Sequence, residues 1–289
     1  MTWVKGFRNC DRRRTNVTEP FISVVITTYN RRFILAELIE SLRRQTYKDF
    51  EVIIVNDHGE SVRMIPEYYP ELKIAVIELE ENKKHVHARN IGVSRALGEW
   101  IMLMDDDDLL VPTHIELMVK EITEEIALLY SDVEIVHFRS ENNTRVPVHR
   151  QLFAYELDLQ AMRKFSTFVP SGCLYRKKLH EEIGYFDPDI HNYWDWDFFL
   201  RVSEQNVVHR VASAGVLYDF SDTNQNQSKQ LEARQFYLNV LSQKHNLGSL
   251  PTKNFFLLLN EPDVKKREAK SRILWNGQPI QSRLAKGTH

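Results

Sequence analysis

Four consecutive aspartates at residues 105–108 are the residues of this 289-residue chain whose type and spacing point most directly to chemistry. They stand between two apolar runs, IMLM before them and LLVP after them. Two carboxylates about 4 Å apart repel each other by roughly 4 kcal/mol at an effective dielectric of 20, so several crowded together favour a bound cation. Oxygen ligands suit hard ions such as Mg²⁺ and Mn²⁺, which bridge protein carboxylates to substrate phosphates. A solvated acidic loop is the alternative, and the position directly after a buried apolar run favours the metal site over it.

Two polar segments follow the first two apolar runs of the chain. Residues 27–30 (TTYN) come after one run and residues 56–59 (NDHG) after the next. Asp57 is suited to accept hydrogen bonds from a base or ribose, and Tyr29 to stack on a base. Asn30 and Asp57 are equally well explained as a helix cap and a turn former, so the residues alone leave both interpretations open.

Residues 192–199 (NYWDWDFF) hold two further carboxylates with different prospects. Asp197 and Arg201 stand four residues apart on a predicted helix and can pair there, which gives Asp197 a stabilising role of a few tenths of a kcal/mol. Asp195 has no obvious charge partner. From spacing alone it is equally a cap just ahead of the helix or a general base.

The segments that must position these residues alternate between strand and helix patterns. Four apolar, β-rich runs predict strands at residues 21–28, 50–55, 72–79 and 100–104. A helix capped by Asn30 is predicted to follow the first run, and a helix over residues 86–97, closed by Gly98, precedes the last. This alternation implies a parallel sheet with helices on both faces, and ligands of such sheets bind at the carboxyl ends of the strands.

The rest of the chain is less regular. Residues 126–220 have a mixed pattern, with a strand over residues 127–138 and a helix near residues 195–204, and residues 229–289 look mainly helical and then irregular. The run FFLLL at residues 255–259 either closes the core or docks on a membrane surface, and core is favoured because five residues are too few for an interfacial helix. Residues 1–20 read as a mobile arm or a packed extension.

Composition and charge exclude several classes of protein. Apolar residues make up 43% of the chain and charged residues 27%, which is ordinary for a globular protein. The net charge of -2, without an evident basic face, argues against a nucleic-acid binder. Cys10 and Cys173 are too few for a disulfide framework and lack the spacing of metal ligands. No apolar run approaches the ~20 residues that span a bilayer, and no signal-peptide pattern opens the chain, so we expect a reduced, cytoplasmic protein.

Together these tracts resemble the inverting family 2 glycosyltransferases with the GT-A fold. The resemblance is carried by residues 22–45 (ISVVITTYNRRFILAELIESLRRQ), FEVIIVND with Gly59, ARNIG, LGEWIMLMDDDD, SGCLYRKK, and GYFD ahead of WDWDFF. These tracts follow one another in the family's order from about residue 21 to residue 205.

The resemblance implies a Rossmann-like α/β fold of the GT-A type: a mostly parallel central sheet with helices on both faces, and a mainly helical C-terminal extension. It divides the chain into an arm (residues 1–20), a nucleotide-sugar-binding half (21–125), an acceptor-binding half (126–220) and the extension (221–289). The implied activity is metal-dependent, inverting transfer from a nucleotide sugar, with UDP favoured, to a hydroxyl group of a glycan or other acceptor. Mn²⁺ or Mg²⁺ is the implied cofactor, and synthesis of a surface polysaccharide the implied pathway.

The resemblance also assigns roles to individual residues. Asp195 is the catalytic base, and Asp107 is the direct metal ligand, with Asp105 as the other half of a DxD pair. The residues assigned to the nucleotide sugar are Thr27, Tyr29, Asp57, Arg89, Asp105 and Asp106, with Arg89 near the diphosphate.

Two positions and one tract depart from the family pattern. Asn56 replaces a frequent aspartate, and Lys84 stands where a glycine is common, so the nucleotide loop is expected to differ. The tract LYDFSDTNQNQS lacks the histidine that often approaches the metal, and no third protein ligand is carried over.

Two rival functions fit the sequence less well. A sugar nucleotidylyltransferase would carry a glycine- and lysine-rich triphosphate loop near the first strand, and TTYNRR is not one. A non-catalytic nucleotide-sugar-binding module would not need the carboxylates at residues 105, 107 and 195. Peripheral association with the inner face of a membrane stays open, as does the oligomeric state.

Overall fold

The computed structural model describes residues 19–221, 231–252 and 255–286, and these form one ten-stranded sheet flanked by helices. The strands are β1 (Ile22–Thr28), β2 (Phe50–Asn56), β3 (Ile74–Glu78), β4 (Trp100–Asp105), β5 (Leu109–Leu110), β6 (Ile126–Glu141), β7 (Thr144–Phe153), β8 (Leu174–Arg176), β9 (Val207–Asp219) and β10 (Arg272–Ile273). Their order is β10-β9-β6-β8-β4-β1-β2-β3, with β5 also paired to β9 and β7 to β6. This is the α/β architecture that the alternating sequence pattern predicts.

The four strands predicted in the first half of the chain lie together and run parallel. β1 pairs with β2 and with β4, and β2 pairs with β3. The register places Thr28 opposite Asn56 and Thr27 opposite Asp105. Asp57 and residues 105–108 therefore lie at the same carboxyl edge of the sheet, which confirms the predicted arrangement.

Helices cover both faces of the sheet, as predicted. They are α1 (Arg32–Arg43), α2 (Ile65–Tyr68), α3 (His85–Arg95), α4 (His114–Lys120), α5 (Leu159–Met162), α6 (Leu179–Glu182), α7 (Trp194–Ser203), α8 (Leu231–His245), α9 (Phe255–Leu259), α10 (Pro262–Lys265) and α11 (Arg283–Lys286). Alternate residues of β1 point to opposite faces: Val24 packs with Leu38 of α1 in one core cluster, and Val25 packs with Val93 of α3 in the other. The unbroken apolar run of β1 reflects this burial on both sides.

The predicted helix cap at Asn30 is wrong. α1 begins at Arg32, and Arg31 takes the cap position without a capping side-chain hydrogen bond. Asn30 instead has a φ of 56° and accepts a hydrogen bond from the backbone N–H of Glu60 at 2.8 Å. It joins the loop after β1 to the loop after β2, because a tertiary partner competes successfully for its side chain.

The predicted C-terminal cap at Gly98 is also wrong. α3 ends at Arg95, and Ala96 follows it in an extended conformation. The N–H of Gly98 donates to Ser23 Oγ at 2.8 Å, and a Cβ on Gly98 would lie 2.6 Å from the backbone nitrogen of Ser23. Glycine is required here by the close approach of β1 rather than by the end of a helix.

The second half of the chain adds a long hairpin and the C-terminal elements. The predicted strand at residues 127–138 lies within β6, and the predicted helix near residues 195–204 corresponds to α7. The C-terminal region is mainly helical, as predicted, but also contributes β10, which pairs in parallel with β9. Of the run FFLLL, Leu259 is buried in the core, whereas Leu257 is 67% exposed.

The remaining predictions concern the N-terminal arm, the two cysteines and membrane-spanning helices. Residues 1–18 of the predicted arm, including Cys10, lie outside the described residues. Cys173 is a free, buried thiol. Among the helices in the described ranges, none is long and apolar enough to cross a membrane.

Candidate active site

A cleft of about 1780 Å³ opens at the carboxyl edge of the parallel strands. One wall is formed by the loops after β1, β2 and β4, and the other by the start of α7 and by elements of the second half of the chain. All of the residues assigned to a site from the sequence line this cleft: Thr27, Tyr29, Asp57, Arg89, Asp105, Asp106, Asp107 and Asp195. The structure therefore brings together residues that lie up to 168 positions apart in the chain, since the first is residue 27 and the last residue 195.

The four aspartates at residues 105–108 divide by exposure. The side chains of Asp105, Asp107 and Asp106 are 30%, 13% and 7% exposed, and Asp108 as a whole residue is 1% exposed. Asp105 ends β4, and Asp106 and Asp107 form a turn in which the N–H of Asp108 donates to the carbonyl of Asp105 at 3.2 Å. Asp105 and Asp107 are thus the more accessible of the four carboxylates, Asp106 lines the cleft but is mostly buried, and Asp108 is held within the protein.

The two buried aspartates anchor the turn. Asp106 accepts a hydrogen bond from Thr28 Oγ1 at 2.6 Å, at the end of β1. Asp108 accepts the N–H of Asp219 at 2.9 Å, at the end of β9, and also the hydroxyl of Ser171. The same hydroxyl accepts the backbone N–H of Asp105 at 3.1 Å. These bonds tie the turn to strands on both sides, which fixes where the accessible carboxylates stand.

Arginines contact the accessible carboxylates. Arg31 donates to Asp107 at 2.8 Å and to Asp106 at 3.1 Å, and Arg89 pairs with Asp105. Burial raises the pKa of Asp107 to about 7, and the negative charge of Asp106 adds to this rise while Arg31 opposes it. Burial likewise raises the pKa of Asp108 well above its ordinary value, with the charge of Asp107 as a further cause. Burial is the main cause of these raised pKa values, and a cation bound beside the carboxylates would favour their ionised forms.

The donor set fits a hard divalent ion that shares its coordination with a substrate. Within residues 19–221, 231–252 and 255–286, no group of three or more His, Cys, Asp or Glu side chains is arranged to hold a metal ion by itself. Ions such as Mg²⁺ are commonly bound through one or two carboxylates, with substrate phosphates and water supplying the other oxygens. Asp105 and Asp107 provide two such carboxylates.

Arg89 has the features of a binding site for an anion. Its guanidinium lies 4.2 Å from the centre of the Trp194 ring, and the residue is only 5% exposed. Its Nη2 contacts Asp105, whereas its Nη1 is buried and has no hydrogen-bond partner in the part of the chain that the structure describes. A buried donor without a partner is costly, so an oxygen of a bound anion would relieve a penalty that the protein alone does not.

The loop after β2 is both structural and accessible. Asp57 accepts the backbone N–H of Lys83 at 2.7 Å, and its carbonyl accepts from Asn82 at 3.1 Å. Asp57 therefore joins this loop to residues 82–83 rather than closing a local turn, and it also lines the cleft. Tyr29 is 50% exposed across the same wall. Lys84, at the position where glycine is common, has a φ of 69°, which lies in the region that glycine favours.

Asp195 lies in the cleft, but not ahead of its helix. α7 begins at Trp194 with Tyr193 in the cap position, so Asp195 belongs to the first turn, and the prediction that it precedes the helix is wrong. Burial raises the pKa of Asp195 to about 6; a hydrogen bond from the N–H of Trp196 opposes the rise, and the negative charge of Asp105 adds to it. A carboxylate with this pKa is ionised near neutral pH and basic enough to accept a proton.

Asp197 does not line the cleft and lies among three basic side chains. Its side chain is 0% exposed and lies 2.9 Å from Arg201, 2.8 Å from Lys244 and 2.8 Å from His245 Nε2. Burial disfavours ionisation of Asp197, but the hydrogen bond from His245 and the charge of Arg201 outweigh it and lower the pKa to about 2. The predicted pair with Arg201 is confirmed. The predicted few tenths of a kcal/mol refers to this pair alone, and the structure adds Lys244 and His245 as partners of Asp197.

Sequence reasoning missed several residues of the site. Arg31 was visible as a basic residue in the loop after the first strand, but nothing indicated that it would pair with Asp106 and Asp107. Arg145 of β7 donates to the carbonyl of Asp107 at 2.6 Å, and Asp219 stands beside the turn at the end of β9. No local pattern indicates either contact, because the partners come from distant parts of the chain. Residues 222–228 of the histidine-free tract lie outside the described residues.

Comparison with known proteins gives the same family for most of the chain. The model of glycosyl transferase family 2 matches residues 23–184. The uncharacterized glycosyltransferase YwdF of Bacillus subtilis (strain 168) is 58% identical over 264 residues, which cover 91% of this chain and 98% of that protein.

Solved structures share the fold at low sequence identity. S. aureus TarS 1-349 has a TM-score of 0.59 at 21% identity, over 77% of this chain and 64% of that one. TarS 1-349 is also solved in complex with UDP and with UDP-GlcNAc. The mannosyltransferase PcManGT from Pyrobaculum calidifontis, in complex with GDP-Man and Mn²⁺, has a TM-score of 0.58 at 15% identity, over 82% of this chain and 67% of that one. These likenesses establish the GT-A type of sheet and helix arrangement.

Proposed function

This chain belongs to glycosyltransferase family 2, and we propose that it transfers a sugar from a nucleoside diphosphate sugar to a hydroxyl group with inversion of the anomeric carbon. The observation that carries the proposal is the meeting, in one cleft, of two accessible carboxylates, an arginine with an unpartnered buried N–H, and a separate carboxylate of raised pKa. UDP is the favoured nucleotide, supported by the complexes of TarS with UDP and UDP-GlcNAc.

Asp105 and Asp107 would hold Mn²⁺ or Mg²⁺, with Asp107 as the direct ligand. When bound, such an ion would neutralise charge that develops on the departing nucleoside diphosphate, so no protein acid is required. A glycoside hydrolase, by contrast, needs a carboxylic acid to protonate its leaving oxygen. The Mn²⁺ in the PcManGT complex supports this assignment by analogy.

The nucleotide and its diphosphate would lie along the first wall of the cleft. Tyr29 would stack on the base. Asp57 would accept hydrogen bonds from the base or ribose, and Thr27 would line the nucleoside site. Arg89 would donate its unpartnered Nη1 to a diphosphate oxygen, a charge-assisted bond that the buried position strengthens. Asp106 would contribute to nucleotide-sugar binding indirectly, by holding the side chain of Arg31 beside the cleft, since the two groups are 3.1 Å apart.

Asp195 would act as the general base. It would accept the proton of the acceptor hydroxyl while that oxygen attacks the anomeric carbon from the face opposite the nucleoside diphosphate. The C–O bond to the diphosphate breaks as the new C–O bond forms, and this single displacement inverts the configuration. A base whose pKa is about 6 is mostly ionised at pH 7, as this role requires.

Different ranges of residues are proposed to have different functions. Residues 21–125 would bind the donor and residues 126–220 the acceptor, with residues 221–289 as a packed extension and residues 1–20 as an arm. A glycan of a surface polysaccharide is the proposed acceptor class, and the cytoplasm, including the inner face of the membrane, the proposed location; both rest on family resemblance.

The experiment that tests the proposal measures consumption of UDP-, GDP- and dTDP-sugars, alone and with hydroxyl acceptors, in the presence of Mn²⁺. Calorimetric titration with the corresponding nucleotides runs beside it. We expect one donor, a UDP-sugar, to be consumed and the product to have inverted anomeric configuration. Absence of both nucleotide binding and donor consumption across the panel would contradict the proposed function, and a product of retained configuration would contradict the single displacement.

A further inference from the structure

We propose that Arg145 is a positioning residue for the metal site: it holds the backbone of Asp107 from the core side, so that the carboxylate of Asp107 is presented to the ion. The inference rests on the proposed function, because it takes Asp107 to be the metal ligand. It concerns a residue of β7, on the hairpin that follows the donor half of the chain, to which neither the sequence nor the family resemblance assigned a role.

The contacts of Arg145 join three separate parts of the fold. Its Nη1 donates to the carbonyl of Asp107 at 2.6 Å and to the carboxylate of Asp219 at 2.7 Å. Its Nε and its backbone N–H both donate to the carboxylate of Glu37 on α1, at 2.6 and 2.8 Å. One guanidinium therefore connects α1, the end of β9 and the aspartate turn.

All of these groups are withdrawn from solvent. The side chains of Arg145, Glu37 and Asp219 are 7%, 2% and 1% exposed, and the guanidinium lies 5.0 Å from the centre of the Phe138 ring. Buried charge-assisted hydrogen bonds of this kind have well-defined directions. The planar fork of arginine matches several acceptors at fixed angles, which a lysine ammonium cannot reproduce.

The bond to Asp107 acts on the residue whose side chain faces the cleft. Arg31 contacts the carboxylate of Asp107 from the cleft side, and Arg145 holds the carbonyl of the same residue from the opposite side. Holding this carbonyl restricts the backbone at Asp107 and therefore narrows the arc that its carboxylate can reach. Groups that orient a metal ligand in this way typically account for ~10–100-fold in metal affinity.

A merely structural role for Arg145 is the alternative, in which it only fastens the β6–β7 hairpin to α1. Arg150 provides a matched control for that role, because it lies on the same strand and has the same kinds of partner. It donates to the buried carboxylate of Glu134 at 2.8 Å and to the carbonyl of Trp275 at 3.0 Å, and it lies 4.6 Å from the centre of the Trp275 ring. Its partners belong to the far end of the hairpin and the C-terminal region, not to the aspartate turn.

The test compares Arg145→Lys with Arg150→Lys in the full chain. Binding of Mn²⁺ is measured by electron paramagnetic resonance of the free ion, with and without UDP, and folding is measured separately by thermal unfolding without metal. We expect Arg145→Lys to weaken Mn²⁺ binding by ~10–100-fold and Arg150→Lys to leave it within about twofold, even where the two variants lose similar thermal stability. In transfer assays, Arg145→Lys should need proportionally more Mn²⁺ for half-maximal rate and should recover at high Mn²⁺.

Two further variants keep each outcome decisive. Glu37→Gln keeps the size of the partner but weakens the anchor of Arg145, and it should lower Mn²⁺ affinity by less than Arg145→Lys does; if Arg145→Lys does not fold, unchanged affinity in Glu37→Gln overturns the inference. Equal losses in Arg145→Lys and Arg150→Lys, or wild-type affinity in a folded Arg145→Lys, also overturn it. Asp107→Asn separates this failure from failure of the proposed site: if Asp107→Asn binds Mn²⁺ as the wild type does, Asp107 is not the ligand, and the metal assignment falls together with the inference about Arg145, while donor consumption still tests the proposed transfer.

Discussion

The two aspartates of the WDWD tract are expected to respond differently to the same substitution by asparagine: one variant should lose activity and the other stability. Asp195→Asn keeps the size of the side chain but removes its ability to accept the acceptor's proton. We expect it to lower the transfer rate by the ~10²–10⁴-fold typical of a lost general base, while donor affinity stays nearly unchanged. Asp197→Asn should leave the rate per folded molecule close to that of the wild type and should instead destabilise the protein.

The expected loss of unfolding free energy in Asp197→Asn follows from the lowered pKa of Asp197. Its pKa is lowered from the ordinary 3.8 to about 2. At 1.36 kcal/mol per pKa unit this corresponds to roughly 2–3 kcal/mol, and no discount for solvent applies because the side chain is 0% exposed. For a chain of this size a loss of that order lowers the melting temperature by roughly 4–12 °C.

The sign of the pH dependence gives an internal check. A carboxylate with a lowered folded-state pKa stabilises the protein above the unfolded-state pKa and loses that contribution as the pH falls through the folded-state value. The difference in unfolding free energy between the wild type and Asp197→Asn should therefore be constant above about pH 5 and should vanish between about pH 4 and pH 2.

The assay measures three quantities for the wild type and both variants: calorimetric affinity for the donor, single-turnover transfer rate, and melting temperature. Rates are taken at least ten degrees below the melting temperature of the less stable variant, so that unfolding does not pass for loss of catalysis. If Asp195→Asn transfers at the wild-type rate while folded Asp197→Asn is inactive, the base has been assigned to the wrong carboxylate.

Three further predictions concern the rest of the cleft. Asp107→Ala should abolish transfer while the thermal unfolding transition persists, and exhaustive chelation should stop the wild type; a transfer rate that survives chelation would refute the metal assignment. Asp57→Ala should weaken calorimetric binding of the nucleotide by ~1–3 kcal/mol, both through a lost partner and through release of the loop that Asp57 holds at Lys83, and unchanged affinity would leave Asp57 with only its structural bond to Lys83. The value of kcat/KM should rise with pH through about 6 as Asp195 ionises and then level off, and a profile already flat from pH 5 would contradict a base of that pKa.

The parallel half of the sheet and the position of the aspartate turn could be predicted from the sequence because they follow from local patterns. A strand buried on both faces needs an unbroken apolar run, and residues 22–28 form one. Once β1, β2 and β4 are parallel neighbours, the segments after them must meet at one edge. Asp57 and Asp107 are brought together by that rule alone, without any information about side-chain contacts.

The predictions that failed are those in which a local preference lost to a tertiary partner. Asn30 is a good helix cap in isolation, but the loop after β2 offers its side chain a backbone N–H. Gly98 is a good helix terminator, but the helix ends earlier and the glycine serves a close contact with Ser23. In both cases the residue type was informative, but its partner could not be identified from the sequence, because that partner lies 30 or more residues away.

The roles of the four aspartates depend on their partners in the same way. The sequence presents residues 105–108 as equivalent carboxylates, whereas the structure gives Asp106 and Asp108 to Thr28, Ser171 and the end of β9. The hydroxyl of Ser171 comes from the SGC tract, which the resemblance marked without a reason. The structure gives Ser171 a role in holding the aspartate turn, since its hydroxyl donates to Asp108 and accepts from the N–H of Asp105.

The proposed base depends on a part of the chain that the family match does not include. The family model ends at residue 184, whereas α7 begins at Trp194 and is held by Lys244 and His245 of α8 through Asp197. Asp195 stands on the cleft side of the same helical turn, and Lys244 and His245 contact its other side through Asp197. The C-terminal region thus stabilises α7, the helix that carries the proposed base, and Asp197→Asn is expected to reveal this contribution as a loss of thermal stability with the transfer rate of the folded protein retained.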